Sequence, residues 1–579
     1  MYKLHEVMAM LEDDPDSVPA AGVDIVIQPP DNACAEVTDE DSGDEETVTI
    51  NNLPPSQLRA DAETQRPPDD DSSTDSDDDA RHLAASSLPP AKKKMKVYTW
   101  RKGDLALSPI TSRTWNPKDV IELRESPVDL FLTFFDAEVF GMIVTQSNNY
   151  AARKNKNLDM TVEELKCFIG ILLLSGYVEV PRRRMYWQQS EDTHNSLVAA
   201  AMTRNRFDEI MSCLHLTDND RLEKADKFAK VRPLFDELNK AFLANGPHEE
   251  NHSVDEAMVP YFGRHGCKQF IRGKPIRYGF KLWVGATRLG YVNWMEPYQG
   301  AGTRIDPKYK DLGLGAGVIL QYADVISSIG DDPYHIFFDN FFTSIPLLAE
   351  LSQRKLKATG TIRENRTSKC PLQDTKAMKK TERGSYDFRL AKDENIVVCK
   401  WNDNSVVSIA SNALSVRPTH NVTRYSQKKK KNISVTQPHL VRVYNENMGG
   451  VDRCDQNISL YRISVRGKKW YFPLICHCID LAEQNAWQLH KARKGSLDHL
   501  QFRRRVVTAL LETNAKSSKG AGRPSQTEHV DSRYDRLDHL VEPQEKQTRC
   551  RHCHQKCTTR CSKCNIGLHV KCFIDYHKK

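Results

Sequence analysis

Three aspartates stand far apart in the chain, in Ser253-Val254-Asp255-Glu256, Ile336-Phe337-Phe338-Asp339-Asn340 and Met448-Gly449-Gly450-Val451-Asp452-Arg453-Cys454-Asp455. A carboxylate beside an apolar run costs free energy unless its charge is compensated, and a divalent cation compensates it while also doing chemistry. Magnesium prefers carboxylate oxygens and keeps water ligands, so a two-metal site needs a few acids converging from separate elements, not a local cluster. The three aspartates meet that requirement. Each also has a plain structural reading, Asp339 as a turn cap, Asp452 as an N-cap and Asp255 as a surface acid, and taken singly those readings are the simpler ones.

The elements that would carry these acids are legible as periodicity. Apolar residues at three- and four-residue spacing make 119–245 helical, and Thr161-Val162-Glu163-Glu164 has the form of a capping box opening a helix over 165–174. Strand-like runs at 280–284 and 291–295 flank Thr287-Arg288-Leu289-Gly290 as in a hairpin. A helix is expected over 318–329, a buried strand at 335–338 ending on Asp339, another helix over 346–354, and helices again over 470–492 and 502–512. Strands and helices in this order predict an α/β core. The polar stretch 367–431, with its own strand patterns, reads as a β-rich insert.

Composition bounds the partners. The net charge of +6 hides a strong polarity: residues 1–80 carry 23 acidic side chains against 3 basic ones, and the remainder carries 80 basic against 54 acidic. The acidic tail cannot bury enough apolar surface to offset its chain entropy and is expected to be disordered. The basic body fits a polyanion, because clustered Lys and Arg release counterions from phosphate backbones; charge alone leaves DNA, RNA and acidic proteins open. Pro89-Pro90-Ala91-Lys92-Lys93-Lys94-Met95-Lys96 reads as a nuclear localisation signal, which implies the nuclear import machinery as a partner and the nucleus as the compartment. No secretory leader or membrane-length apolar run is recognisable, so a soluble intracellular protein with no membrane partner is expected.

Two further patterns carry chemistry. Arg264, Lys268, Arg272, Lys274 and Arg277 interleave with Phe262, Phe270 and Tyr278 beside Asp255, a plausible DNA-tracking strip or equally a solvated hairpin face. Six of fifteen cysteines fall near the end, Cys557 and the five of Cys550-x2-Cys553-x7-Cys561-x2-Cys564-x4-His569-x2-Cys572-x4-His577. Paired thiolates and imidazoles at two-residue gaps chelate zinc from knuckle turns, so one or two Zn2+ are expected here. A Gly522-Arg523-Pro524 core in the preceding linker is a weak minor-groove signal.

The segments around the three acids, with Gly176-Tyr177-Val178-Glu179-Val180-Pro181-Arg182-Arg183-Arg184, Tyr261-Phe262-Gly263-Arg264, Phe338-Asp339-Asn340-Phe341-Phe342 and Gly449-Gly450-Val451-Asp452, resemble those of the piggyBac transposases over roughly residues 100–579. The resemblance implies an RNase H-like catalytic core within a multidomain α/β chain. Asp255, Asp339 and Asp452 take the family's catalytic positions with two Mg2+, and Asp455 takes the further acid. It implies cleavage and joining of double-stranded DNA, at transposon terminal repeats and TTAA targets through hairpin ends, by a homodimer. Trp470, in Arg466-Gly467-Lys468-Lys469-Trp470, would stack near the hairpin with Lys468 and Lys469 on adjacent phosphates; read without the resemblance, it is equally a core tryptophan opening a helix. The C-terminal module would be a cross-brace, Cys550, Cys553, His569 and Cys572 holding one ion and Cys561, Cys564 and His577 a second, completed by Cys557, His554 or water.

The resulting organisation is a tail over 1–97, a helical DNA-binding and dimerisation region over 115–250 and 461–515, and a catalytic domain over 251–460 with its insert at about 367–431. A linker over 516–546 and a cysteine-rich zinc finger over 547–579 complete it. Besides a DNA transposase, the alternative is a domesticated nuclear DNA-binding or chromatin protein without transposition activity; a zinc-dependent ubiquitin ligase rests on the last thirty residues alone.

Overall fold

The computed structural model describes residues 97–105, 110, 112–117, 125–188, 192–271, 276–427, 429–512, 534 and 538–578, and upstream of them three short strands, Tyr2–Lys3, Asp24–Ile27 and Asp61–Gln65. The rest of the acidic tail, the 92–96 basic cluster, Arg272, Lys274 and the Gly522-Arg523-Pro524 segment lie outside the described residues.

After a two-residue strand, β1 (Trp100–Arg101), the chain is helical: α1 (Pro127–Leu132), α2 (Ala137–Arg153), α3 (Val162–Ser175), α4 (Ser196–Ala201), α5 (Arg204–Cys213) and α6 (Arg232–Asn245). The starts follow local chemistry. Thr161 accepts from the Glu164 amide at 3.3 Å while the Glu164 carboxylate accepts from the Thr161 amide at 3.2 Å, closing the expected capping box, and Ser126 and Asp129 repeat the device at α1.

The sheet strands then follow: β2 (Asn251–Pro260), β3 (Lys268–Phe270), β4 (Tyr278–Thr287) and β5 (Val292–Pro297). Helix α7 (Leu314–Ser327) leads to β6 (His335–Phe338), and α8 (Ile345–Gln353) leads to β7 (Lys357–Thr361). The predicted hairpin, the buried strand before Asp339 and both helices are all present, displaced by a few residues at their ends. Strand β6 is parallel to β2 on one side and to β7 on the other, whereas β4 is antiparallel to β2 and carries β3 and β5 on its far edge. Parallel neighbours need a crossover, and α8 supplies the one between β6 and β7.

The 367–431 segment differs from a self-contained insert. After a short helix α9 (Thr375–Lys379), its strands β8 (Tyr386–Ala391), β9 (Ile396–Asn402) and β10 (Val406–Ser411) extend the main sheet in the order β1-β8-β9-β10-β7-β6-β2-β4-β3. Strand β10 pairs with β7 because β7 would otherwise leave an open edge. Only β11 (His420–Ser426) and β12 (Lys431–Gln437) form a separate hairpin. The chain then returns as α10 (His439–Asn447), α11 (Gly450–Leu460), α12 (Phe472–Ala492) and α13 (His499–Glu512).

Three layers result. Helices α7 and α8 bury one face of the sheet against Val254, Trp283, Ile336 and Phe338. The early helices and α11 to α13 cover the other face through one continuous core with Ala257, Leu282, Val284 and Ala286. The two helical stretches, separated by about two hundred residues of sheet, are thus one layer. No helix among the described residues is long and apolar enough to cross a membrane.

A buried ionic cluster pins that layer. Arg503 on α13 is 1% exposed and reaches Asp480 at 2.8 Å, Glu483 at 2.9 Å and the Leu173 carbonyl at 3.1 Å, joining α13 to α12 and α3. His499 approaches the same Glu483 at 3.0 Å. Removing one partner from such a cluster strands the others uncompensated in low dielectric. Arg503→Met is therefore expected to cost about 3–5 kcal/mol of folding stability, read from the midpoint of chemical denaturation.

Candidate active site

The three acids arrive from three elements. Asp255 lies mid-strand on β2 opposite Val284, and its Oδ1 accepts from the Glu256 amide at 2.8 Å. Asp339 follows the last residue of β6; its Oδ1 accepts from the Phe341 amide at 2.9 Å, and its carbonyl takes the Thr343 hydroxyl at 2.7 Å. Asp452 is in the first turn of α11, where the helix dipole favours a carboxylate, and Asp455 follows one turn on, half-buried.

Of the two glycines before Asp452, Gly449 is the N-cap of α11 and Gly450 makes a close approach to the sheet. A Cβ on Gly450 would stand 2.3 Å from the Thr287 carbonyl oxygen and 2.5 Å from Ser253 Oγ. Any side chain there would lift the start of α11 off β2 and β4 and carry Asp452 away from Asp255. Gly290, with φ +97°, closes the β4–β5 turn against the same helix, where only a residue without a Cβ is unstrained.

The charges of all three acids act on Tyr444 of α10. Burial pushes its phenol well above the ordinary tyrosine range, the Thr361 hydroxyl at 3.5 Å opposes that, and the carboxylates of Asp339, Asp255 and Asp452 all push it further up. Asp339 itself is raised, chiefly by burial and also by Glu256; the Phe341 amide, Arg363 and Lys281 pull the other way. The three carboxylates do not close into a compact ligand set: among the described residues, the groups whose donor atoms all lie within 4.8 Å are two Cys/His sets in the C-terminal module. Mutual repulsion opposes a tighter approach of three anions.

Cations surround Asp339 that the sequence did not single out. Arg363 donates from Nε to Asn340 Oδ1 at 3.0 Å, and Arg366 donates to the carbonyls of Asn340, at 3.2 Å, and Phe341. Both sit just after β7, the strand beside β6, so the sheet order brings them over the Asp339 turn. Lys281 lies 4.3 Å from the Trp283 ring centroid and 5.3 Å from that of Phe341, a buried cation in an aromatic recess. A pair of arginines three apart in a polar run carries no local signal that separates it from a solvated turn.

The predicted DNA strip is only partly brought together. Arg277 is exposed, whereas Arg264 and Lys268 are half-buried; Arg264 Nε is buried without a hydrogen-bond partner among the described residues, and burial lowers the Lys268 ammonium to about 8. Lys468 is exposed. Lys469 points inward, donating to the Leu214 carbonyl at 3.0 Å and lying 4.8 Å from the Tyr150 ring centroid, so it faces the core instead of a phosphate.

Trp470 takes the core reading in this structure. It is 5% exposed, packed 4.2 Å from the His265 ring and against Phe228, Phe280 and Tyr471. In this structure its faces are covered, and it is a core residue where α12 begins, not an open stacking platform. Periodicity misses this because the covering rings come from elements some two hundred residues away.

In the C-terminal module, β13 (Val541–Arg549), β14 (Lys556–Cys561) and α14 (Val570–His577) present two tetrads. The first, Cys550, Cys553, His569 and Cys572, is the expected one. His569 Nδ1 lies 3.2 Å from Cys553 Sγ and 3.9 Å from Cys572 Sγ, while its Nε2 bonds the Lys556 carbonyl at 2.9 Å, fixing the ring. The second joins Cys561, Cys564 and His577 to His539, whose Nδ1 is 3.3 and 3.4 Å from the two sulfurs. Those separations match the roughly 3.5 Å sulfur–nitrogen edge of a tetrahedral site. The group that completes this second set is His539, in place of Cys557, His554 or water. Cys557 instead receives contacts from Thr548 and Gln544, and His554 forms a left-handed turn. The module accordingly begins inside the expected linker, with Ser562 Oγ bonding the Asp538 carbonyl and the Leu540 amide. A lone histidine 22 residues before its partner cysteine has no knuckle spacing to reveal it.

A mixed sheet carrying three acids from a central strand, its parallel neighbour and a late helix, followed by a paired Cys/His module, defines a transposase-type chain. A family model described as Transposase IS4 matches residues 126–487. The sequence is 48% identical to human PiggyBac transposable element-derived protein 3, over 99% of both chains. It is 44% identical to the human protein 2 of that series, over 96% of this chain and 93% of the relative. The structure is similar to that of a piggyBac transposase in a synaptic complex with hairpin DNA, at a TM-score of 0.56 and 20% identity, covering 79% of this chain and all of the other. The chain belongs to the piggyBac transposable element-derived proteins and is a transposase-like protein of piggyBac type.

The burial of Trp470 makes a direct prediction. Trp470→Ala should destabilise the fold by about 3–5 kcal/mol, measured by thermal or denaturant unfolding of the DNA-free protein, because it empties a packed aromatic site.

Proposed function

We propose that this chain cleaves and rejoins double-stranded DNA as a piggyBac-type transposase, with Asp255, Asp339 and Asp452 as the catalytic acids and Asp455 supporting them. The observation that carries the reading is the register that sets Val254 of β2 beside Phe338 of β6, each one residue before its aspartate, together with the close approach of Gly450 to Ser253, which brings the start of α11 and Asp452 to the same strand. The strand order β5-β4-β2-β6-β7, with three antiparallel strands leading into two parallel ones, supports an RNase H-like core for the same reason: it places a mid-strand acid beside the acid that ends the next strand.

The donor set is all oxygen, from separate elements and partly open to solvent, which suits two magnesium ions. When bound, the ions would activate a water or 3′-hydroxyl and stabilise the leaving oxygen. The chain's own residues do the remaining work. Asp255 and Asp339 are held by backbone amides at 2.8 and 2.9 Å, so their orientation is set before substrate binds. Arg363 and Arg366 supply positive charge beside Asp339, and the exposed Arg277 and Lys468 are further cations for phosphate contact. Reaction at terminal repeats and TTAA targets through hairpin ends, action as a homodimer, and nuclear import through the 92–96 cluster complete the proposal, consistent with the hairpin DNA in the similar complex. An excision assay on DNA bearing the cognate ends with magnesium should show cleavage by the wild type and a loss of at least a hundredfold with Asp339→Ala. Equal excision by both would remove the assigned role, and no excision by either would favour a non-catalytic DNA-binding protein.

The Cys3His and Cys2His2 tetrads fit zinc, and the module is proposed to bind two ions, since thiolate and imidazole donors at tetrahedral edges suit no hard cation. Wild-type protein should release two zinc equivalents to a chromogenic chelator, and His539→Ala should retain one tightly bound. Two tightly held equivalents in the variant would return the fourth position to another ligand.

A further inference from the structure

Strand β9 carries a lysine where the core would take another apolar residue. Side chains alternate across a strand, and Ile396 and Val398 of β9 pack into the core shared with α7 and α8. The next position on that face is Lys400, 2% exposed, between Asp387 of β8 and Ser408 of β10. A buried ion pair adds little stability over apolar packing of the same volume, so the reason for Lys400 lies in what it holds.

All three N–H groups of its ammonium are used. Nζ donates to Glu364 Oε1 at 3.0 Å, to the Gln373 carbonyl at 2.9 Å and to Thr375 Oγ1 at 3.1 Å. The Thr375 hydroxyl donates in turn to Glu364 Oε2 at 3.0 Å, so the carboxylate is gripped through both oxygens. Glu364 opens the single helical turn Glu364–Arg366, and the two arginines of this segment hold the Asp339 turn. Arg363 Nε donates to Asn340 Oδ1, and Arg366 donates to the carbonyls of Asn340 and Phe341. The Phe341 amide is the group that orients Asp339 Oδ1, at 2.9 Å, and the Phe342 and Thr343 amides bond the Asp339 carbonyl at 3.3 Å. A continuous series of contacts therefore runs from Lys400 in the sheet extension to the carboxylate of Asp339. The Glu364 side chain is otherwise 61% exposed, so without this grip it would turn to water.

We propose that Lys400 is a positioning residue that acts through Glu364, clamping the arginine turn onto the Asp339 loop and holding the Asp339 carboxylate in its oriented state. The 386–411 strands thereby take part in the acid site, to which they contribute no acid of the three.

The inference rests on Asp339 being a catalytic acid, and its test separates the two. Hydrogen–deuterium exchange of residues 339–343 is followed in full-length, zinc-loaded, DNA-free protein. Wild type, Lys400→Met, Glu364→Ala and the double variant are compared, with unfolding midpoints and excision kinetics on the same preparations. Methionine fills the lysine volume without a buried charge, and Glu364→Ala alters a side chain mostly in solvent, so both midpoints should stay close to wild type. Should Lys400→Met lower its midpoint, Glu364→Ala alone decides. Exchange at 339–343 should quicken in each variant while the sheet strands exchange as in wild type. Excision kcat should fall about tenfold with KM for DNA unchanged, and the double variant should be no worse than Lys400→Met, because both changes cut one tether. Unchanged exchange at 339–343, unchanged kcat, or losses that add in the double variant overturn the role of Lys400. Exchange quickened across the whole sheet makes Lys400 a stabilising residue only and overturns it too. Equal excision by wild type and Asp339→Ala, including none by either, overturns the catalytic reading of Asp339; the exchange comparison, which needs neither DNA nor a divalent ion at the acids, then still decides whether Lys400 holds this loop.

Discussion

The close approach of α11 to the sheet governs this molecule. With no Cβ at Gly450, the helix start sits against the Thr287 carbonyl and Ser253 Oγ, and Asp452 comes to the strand that bears Asp255. Much of the surrounding architecture maintains that contact. Core residues Val451, Cys454 and Ile458 hold α11 in the helical layer, Gly290 shapes the turn it rests on, and the Gln484 side chain on α12 donates to the Gly290 carbonyl at 2.9 Å. The Arg503 cluster then locks α12 and α13 to α3.

The helical layer explains why the sheet interrupts it in sequence. Residues before β2 and after α10 supply one apolar core, so neither half buries its face without the other. The sheet is enclosed on one side by that core and on the other by α7 and α8, and the acids emerge where β2, β6 and α11 meet. Positive charge arrives by the same topology. Arg363 and Arg366 follow β7 and reach the Asp339 turn because β7 and β6 are hydrogen-bonded neighbours.

Charges near the acids differ in kind. Arg363 and Arg366 are engaged with backbone and amide oxygens of the Asp339 turn and so order it, while Lys281 sits in an aromatic recess beside Trp283 and Phe341. Lys469 and Trp470, which look in sequence like surface groups for phosphates and bases, are consumed by packing where α12 begins. A basic and aromatic run is thus an ambiguous signal: the same side chains that suit nucleic acid also suit the junction of a helix with a core.

Sequence alone determined what depends on short range. The hairpin around Gly290, the buried strand ending at Asp339, the capping box at Thr161 and the first Cys/His tetrad follow from periodicity, turn chemistry or two-residue ligand gaps, each encoded within a few residues. The acids were also recognisable, though only the family resemblance joined them. Tertiary structure decided the rest: the place of His539 beside Cys561, Cys564 and His577, the inward course of Lys469 and Trp470, the arginines over Asp339, and the merging of the 386–411 strands with the main sheet. The physical reason is common to all of them. Each is fixed by partners distant in sequence, whose approach is set by strand order and packing, and local spacing carries no record of either.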